Sequence, residues 1–250
     1  MRPFTRILTK EAKELLVSGR GIAWLLTASL ILSGFSLLLV GNTELSLLDN
    51  AQAVYMMMGT VTALGCLLTT ALGSDAVAGE RERGTLVTLL LTPLTPGRIL
   101  AGKMGGVAIA WIIIYLISLP YLWAVGGTGQ NLFQAVFYLA LFGTPAALGF
   151  GFYSLALSAR LGSVRSALTI ALITLVFAAS PLLIGAGLRQ NPVGRTFDAV
   201  NPLAAALNSY DSAVIDSQGL SHQLARLTVT LLWLGATAWW ARRSVRKLQP

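Results

Sequence analysis

GERERGTLVTLLLTPLTPGRILAGK, residues 79–103, is a charged, Pro-punctuated island between two long apolar runs. Glu80, Arg81, Glu82 and Arg83 do not belong in hydrocarbon, where each charge costs roughly 2.5–3.5 kcal/mol on insertion scales. Arg98 and Lys103 close the island at its other end. Its apolar centre, Leu86 to Leu91, is too short to cross a bilayer, which takes about 20 residues. The segment therefore belongs in water or at the interface. Glu82 comes early, and Leu86, Leu89 and Leu90 follow at helical spacing. An acid near a helix start is favoured by the dipole. Thr92-Pro93 then ends the helix, because the residue before Pro is pushed out of the αR region. The expectation is a short amphipathic helix in a loop, showing a Leu face to something.

Composition fits that picture. The 250 residues are 55% hydrophobic and 11% charged, with mean hydropathy +0.71. This is the profile of a polytopic membrane protein. The net charge of +8 does not point to nucleic acid, because the basic residues cluster at the ends of apolar runs. Cys66 is the single cysteine, so no disulfide forms within the chain. Met1 to Gly19 carries charges throughout and lacks the compact apolar region of a signal peptide.

Along the chain, Arg2 to Ser18 reads as an interfacial amphipathic helix, with Phe4, Leu8, Ala12 and Leu15 recurring every three or four residues. Six apolar spans follow: Gly21–Val40, Ala51–Gly73, Met104–Val125, Leu132–Leu157, Val164–Leu188 and Leu224–Trp240. Each is about long enough to cross with modest tilt. One side of this arrangement holds Arg2, Arg6, Lys10, Lys13, Arg20, Arg81, Arg83, Arg98, Lys103, Arg160, Arg165, Arg242, Arg243, Arg246 and Lys247; the other holds only Arg189, Arg195 and Arg226. The positive-inside rule then puts both termini and the island in the cytoplasm. On the outer side the sizeable segment is Arg189 to Gln223, where Asn201-Pro202 reads as a helix start, Asn as cap and Pro at the first position. Pro120, Pro145 and Pro181 predict kinks, and Gly102/Gly106, Gly143/Ala147 and Ala147/Gly151 permit close helix contacts.

The chemistry of the spans is sparse. Their middles hold essentially no ionisable residue, which argues against self-powered ion-coupled transport and against an intramembrane hydrolase. His222 has no cluster of metal-ligand spacing around it, so no metal site is expected. Gly97 to Met104 approaches the phosphate-binding loop G-x-x-x-x-G-K-[ST], but Met104 stands where Ser or Thr must hold Mg²⁺, and no strand precedes it. Lys103 instead reads as an anchor for the third span. The membrane chain has no evident energy source of its own, while its island is placed to act as a lever on two spans.

Glu80-Arg-Glu-Arg-Gly84-Thr85-Leu86, then Leu89-Leu90-Leu91-Thr92-Pro93-Leu94, then Gly102-Lys103, resembles the cytoplasmic loop of ABC type-2 permeases. Thr9-Lys10-Glu11-Ala-Lys13-Glu-Leu-Leu likewise resembles the connector helix before their first span. The resemblance implies an all-α integral membrane fold of the type V exporter kind, one permease domain over residues 1–250, with 1–19 interfacial, 79–103 a coupling loop and 189–223 an outer loop with short helices, the re-entrant ones matching Asn201 to Leu220. It implies a second permease chain, separate ATP-binding subunits that carry ATP and Mg²⁺, and no catalytic group or cofactor here. The docking set it transfers is Glu80, Arg81, Glu82, Arg83, Gly84, Thr85 and Leu86 at the start, with Leu89, Leu90, Thr92, Pro93 and Leu94 along the face and end. The family often has an acid after Gly-Thr-Leu; here it is Val87. Asn201, Pro202, Leu203, Leu207 and Tyr210 form the corresponding outer partner or gate set. The expected function is an ATP-driven exporter permease in the cytoplasmic membrane; the rival is a subunit that transmits ATPase motion to an outer partner.

Overall fold

The computed structural model describes residues 9, 11–13, 16–41, 50–91, 95–127, 131–183 and 191–248, and among them every regular element is helical. We number them α1 (Gly19–Gly41), α2 (Asn50–Glu82), α3 (Leu86–Leu90), α4 (Pro96–Gly126), α5 (Leu132–Tyr138), α6 (Thr144–Leu161), α7 (Val164–Leu183), α8 (Pro192–Val200), α9 (Pro202–Tyr210) and α10 (Leu220–Arg246). A π-helical turn, Leu139–Gly143, joins α5 to α6, and another, Asp211–Ile215, follows α9. The first has a local cause. Pro145 in the first turn of α6 has no N–H and crowds the carbonyl four residues back, and the wider π turn lets the chain run through.

Four stretches are long and apolar enough to cross a membrane: Gly21–Gly41, Asn50–Glu82, Pro96–Gly126 and Leu132–Leu161. Of the expected fifth span, residues 164–183 are helical and 184–188 lie outside the described residues. The sixth is a helix of 27 residues that starts before Leu224 and ends after Trp240. Most of the expected N-terminal helix also lies outside the described residues; within it, residues 11–13 and 16–17 are helical.

The core is built on α2, which packs most extensively on α6 and also on α4 and α7. Small residues make this possible. A Cβ on Gly73 would lie 2.5 Å from the carbonyl oxygen of Gly151 in α6, and one on Gly65 would collide with the Trp111 ring of α4. Gly151 was expected to serve close packing, and a Cβ there would meet Val107 at 2.8 Å. Around this core the outward faces are apolar: Leu26, Leu30, Leu37, Leu116, Phe133, Ile173, Val176 and Leu232 are all exposed. An apolar perimeter of this kind is what a lipid solvent requires.

Two helices overrun their expected limits. The second span was expected to stop at Gly73, but α2 continues through Ser74 and Asp75 to Glu82. Nothing there breaks a helix, since no Pro intervenes and Gly79 is tolerated. The third span was expected to start at Met104, but α4 starts at Pro96, which supplies the first-turn proline, with Thr95 in the extended cap conformation. At 1.5 Å per residue, α2 is about 50 Å long against a hydrocarbon layer of about 30 Å. The end of α2 and the start of α4 carry α3 between them.

Candidate functional site

The Glu-Arg-Glu-Arg run is the end of α2, not the start of α3. Gly84 has φ +71°, the left-handed conformation that glycine adopts without penalty. Its N–H donates to the Arg81 carbonyl at 3.1 Å, and the Thr85 N–H donates to the Glu80 carbonyl at 2.9 Å. This paired 5→2 and 6→1 closure is a Schellman motif, which satisfies carbonyls that a helix end leaves orphaned. The expected benefit of Glu82 to the dipole of the short helix is therefore overturned. Acids at a helix C-terminus are unfavourable unless something compensates them, and here each acid has found a partner on another element.

Glu80 is buried, 4% exposed. Its Oε1 accepts from Lys103 Nζ at 2.8 Å, and Oε2 accepts from the Thr85 hydroxyl. Lys103, 5% exposed, donates also to Glu11 Oε1 at 2.6 Å. One ammonium thus joins the N-terminal segment, the end of α2 and the second turn of α4. Lys103, expected to anchor the third span, is buried, and the carboxylates on either side offset its burial. The close approach of Glu11 is allowed by Gly106, where a Cβ would sit 2.6 Å from Glu11 Cβ.

Glu82 serves a different helix. Its Oε1 accepts from the Val164 N–H at 2.8 Å, the first residue of α7. The dipole argument made for Glu82 holds at this N-terminus instead. Arg81 lies over Gly162, where a Cβ would be 2.6 Å from its guanidinium and φ is +72°. Arg83 meets Asp75 at 3.0 Å, with both side chains nearly half exposed, so that pair contributes at most about 1 kcal/mol.

One turn earlier, Ser158 of α6 enters the α2 hydrogen-bond ladder. Its hydroxyl donates to the Ser74 carbonyl at 2.6 Å and accepts from the Ala78 N–H at 2.8 Å. A side chain inserted there is a recognised place for a helix to bend.

What this frame holds out is α3. Leu86 packs inward against the cluster that includes Ala76, Val77 and Leu100. Val87 is 66% exposed and Leu91 80%, and at i,i+4 they share a side. Gly84 and Thr85 are exposed beside them. Of the predicted docking set, Glu80 thus faces inward and supports the surface, and Leu86 anchors it. The side chains of Leu89 and Leu90, and Thr92, Pro93 and Leu94, lie outside the described residues.

At the opposite end of the bundle, Asn201 caps α9 as its sequence predicts. Its Oδ1 accepts from the N–H groups of Leu203 and Ala204 at 3.0 and 3.3 Å, and its Nδ2 donates to the Ala178 carbonyl of α7 at 2.6 Å. Pro202 sits in the first turn. Every residue from Leu203 to Tyr210 is buried. Tyr210 meets the Tyr138 ring edge-on at 6.2 Å, and Tyr138 stacks on Phe142 at 5.5 Å. This short helix is therefore packed inside the bundle.

The exposed helix at that end is α8, which has no buried residue. Sequence reading missed it, although Asn191-Pro192 carries the same start signal as Asn201-Pro202. A polar clasp holds it. Asp198 Oδ1 accepts from Asn208 Nδ2 at 3.1 Å, Asn208 Oδ1 accepts from the Tyr55 hydroxyl at 2.9 Å, and Arg226 lies 3.9 Å from Asp198. Arg226 Nε donates to His222 Nε2 at 3.0 Å. His222, expected in a loop, is in the first turn of α10. No sequence signal joins Tyr55 to Asn208, 153 positions away.

Long apolar helices gathered in one helical bundle match a multi-pass membrane subunit. Residues 6–237 match the family described as ABC-2 family transporter protein. The chain belongs to that family. Over 115 residues it is 34% identical to the probable ABC transporter permease protein NosY of Stutzerimonas stutzeri, covering 43% of this chain and 41% of that protein. The match thus spans less than half the length of that curated relative. An ABC-2 membrane subunit is a multi-pass membrane protein and not itself an enzyme; ATP hydrolysis lies in separate ATPase subunits.

Proposed function

We propose that this chain is the permease half of an ATP-driven exporter, that ATP-binding subunits dock on the 79–103 loop, and that the chain crosses the cytoplasmic membrane six times with both termini in the cytoplasm. A second permease chain, identical or homologous, completes the transport path. The observation that carries the reading is the exposed Val87 and Leu91 pair, set on a helix end that is pinned to α4 by Glu80–Lys103 and to α7 by Glu82–Val164. An apolar pair on a rigid mount transmits displacement, whereas a loose loop would absorb it. ATP closes the partner subunits around Mg²⁺; α3 moves with them; α2 and α4 follow, and the spans of the two halves rearrange.

The experiment is purification of the tagged chain in mild detergent with its native partners, comparing wild type with V87D/L91D. A stoichiometric ATPase present with wild type and lost from the variant, at unchanged dimer yield, is the expected result. An ATPase that stays bound to the variant and hydrolyses ATP with normal coupling overturns the docking site.

A second reading has one observation behind it. Val193 and Val200 of α8 are 77% and 68% exposed, a surface suited to an outer partner moved by the same ATPase. In that case the complex hydrolyses ATP without solute flux, and an α8 variant loses the partner while keeping the ATPase.

A further inference from the structure

We propose that the last turns of α10 form a binding site for the phosphate headgroup of an anionic phospholipid, whose acyl chains lie along the exposed face of the same helix. This rests on reading α10 as a membrane span. Leu224, Leu231, Leu232 and Trp239 are exposed by 54%, 50%, 66% and 61%. Their spacing of seven, eight and fifteen residues puts them on one side of a helix. The same side continues into Arg242, Arg243 and Arg246, all exposed. Trp239 and the three arginines line a shallow groove of about 310 Å³. Apolar stripe, indole, then guanidinium groups is the order of chemistry that a phospholipid presents from tail to headgroup.

Two simpler explanations fall short. Basic residues in a last turn complement the helix dipole, and they set topology. Neither requires three guanidinium groups to share a groove on the outward side. Arg160 shows the contrast. It reaches the inner side of this helix end, stacks over Trp240 at 5.0 Å and donates to Ser244 Oγ at 2.9 Å. Arg243 lies over Trp239 at 5.4 Å, which holds the guanidinium beside the groove. Among the described residues no carboxylate lies within ion-pair distance of Arg242, Arg243 or Arg246. A phosphodiester, which accepts paired N–H bonds from arginine, supplies the missing anion.

The test reconstitutes the whole complex in vesicles of equal parts phosphatidylglycerol and phosphatidylcholine, releases it in mild detergent and counts retained lipid by native mass spectrometry. Wild type is expected to retain phosphatidylglycerol in preference. Each Arg→Gln replacement at 242, 243 and 246 lowers that preference by about fivefold at low salt. The R242K/R243K/R246K variant, which keeps the charge and loses the paired N–H bonds, is expected to fall between wild type and the triple glutamine variant, which a folding defect would not. Equal retention by wild type and the triple glutamine variant overturns the site. So does a disulfide formed between two copies of an L231C variant, which would show that a second chain covers this face. The span reading fails separately if L231C reacts with a membrane-impermeant maleimide in intact vesicles.

Discussion

Lys103 Nζ lies 2.8 Å from Glu80 Oε1, and the two residues belong to different long helices on either side of the island. Both side chains are 5% exposed. Removing one member of a buried pair strands the other, at a cost of about 3–5 kcal/mol. Lys103→Met should therefore lower stability by about that amount, read from denaturant titration in mixed micelles. Adding Glu80→Gln should recover part of the loss, because one of the two stranded carboxylates, the more buried one, is then neutral. Additive losses in the double variant would mean that the pair is not a coupled unit.

Gly84 tests the mount by backbone alone. Its φ of +71° is costly for a residue with a Cβ, by about 1–2 kcal/mol. Space is not the issue, since nothing lies within 4 Å of a Cβ built there. Gly84→Ala is expected to lower stability by about 1 kcal/mol and to loosen ATPase coupling more than cargo-free ATPase binding. Hydrolysis that remains fully coupled would sink the idea that this turn transmits motion.

Gly73 is a steric prediction. A side chain there runs into the Gly151 carbonyl oxygen, a backbone atom with little room to move. Gly73→Val should force α2 and α6 apart, with a loss of about 3 kcal/mol or more. Gly34 has open space around its Cβ direction, so Gly34→Ala should change the melting temperature little. Comparable losses at both sites would contradict the packing.

The clasp on α8 predicts a local effect. Asp198→Ala removes the acceptor shared by Asn208 and approached by Arg226. Amide exchange over residues 192–200 should rise by about tenfold or more, for a lost contact of roughly 1.5–3 kcal/mol. Residues 203–210 should stay protected, because Asn201 still caps α9 and ties it to Ala178. Exchange rising over both helices together would show that they open as one unit.

Much of this protein was legible without coordinates. Apolar runs of bilayer length need no tertiary partner to be recognised, because hydrocarbon tolerates only satisfied backbone. The Asn201 cap was readable because capping is local, with donor and acceptor two or three residues apart. Helix limits were less readable. Glu80 and Glu82 look like the start of something because acids favour N-termini; they end α2 instead, and only the fold supplies what makes that tolerable.

Sequence by itself determined the helical membrane class and the small residues that let helices approach, since each depends on residue type and short-range spacing. Tertiary structure alone decided that Lys103 binds Glu80 and Glu11, that Glu82 caps α7, and that Tyr55 reaches Asp198 through Asn208. Those partners are 23 to 153 positions apart, apart from the Asn208–Asp198 step of 10. A charge or amide at the end of a long helix can meet several candidates, and which one it meets is set by how the helices cross. That crossing is fixed where Gly73 and Gly65 let α2 close on α6 and α4.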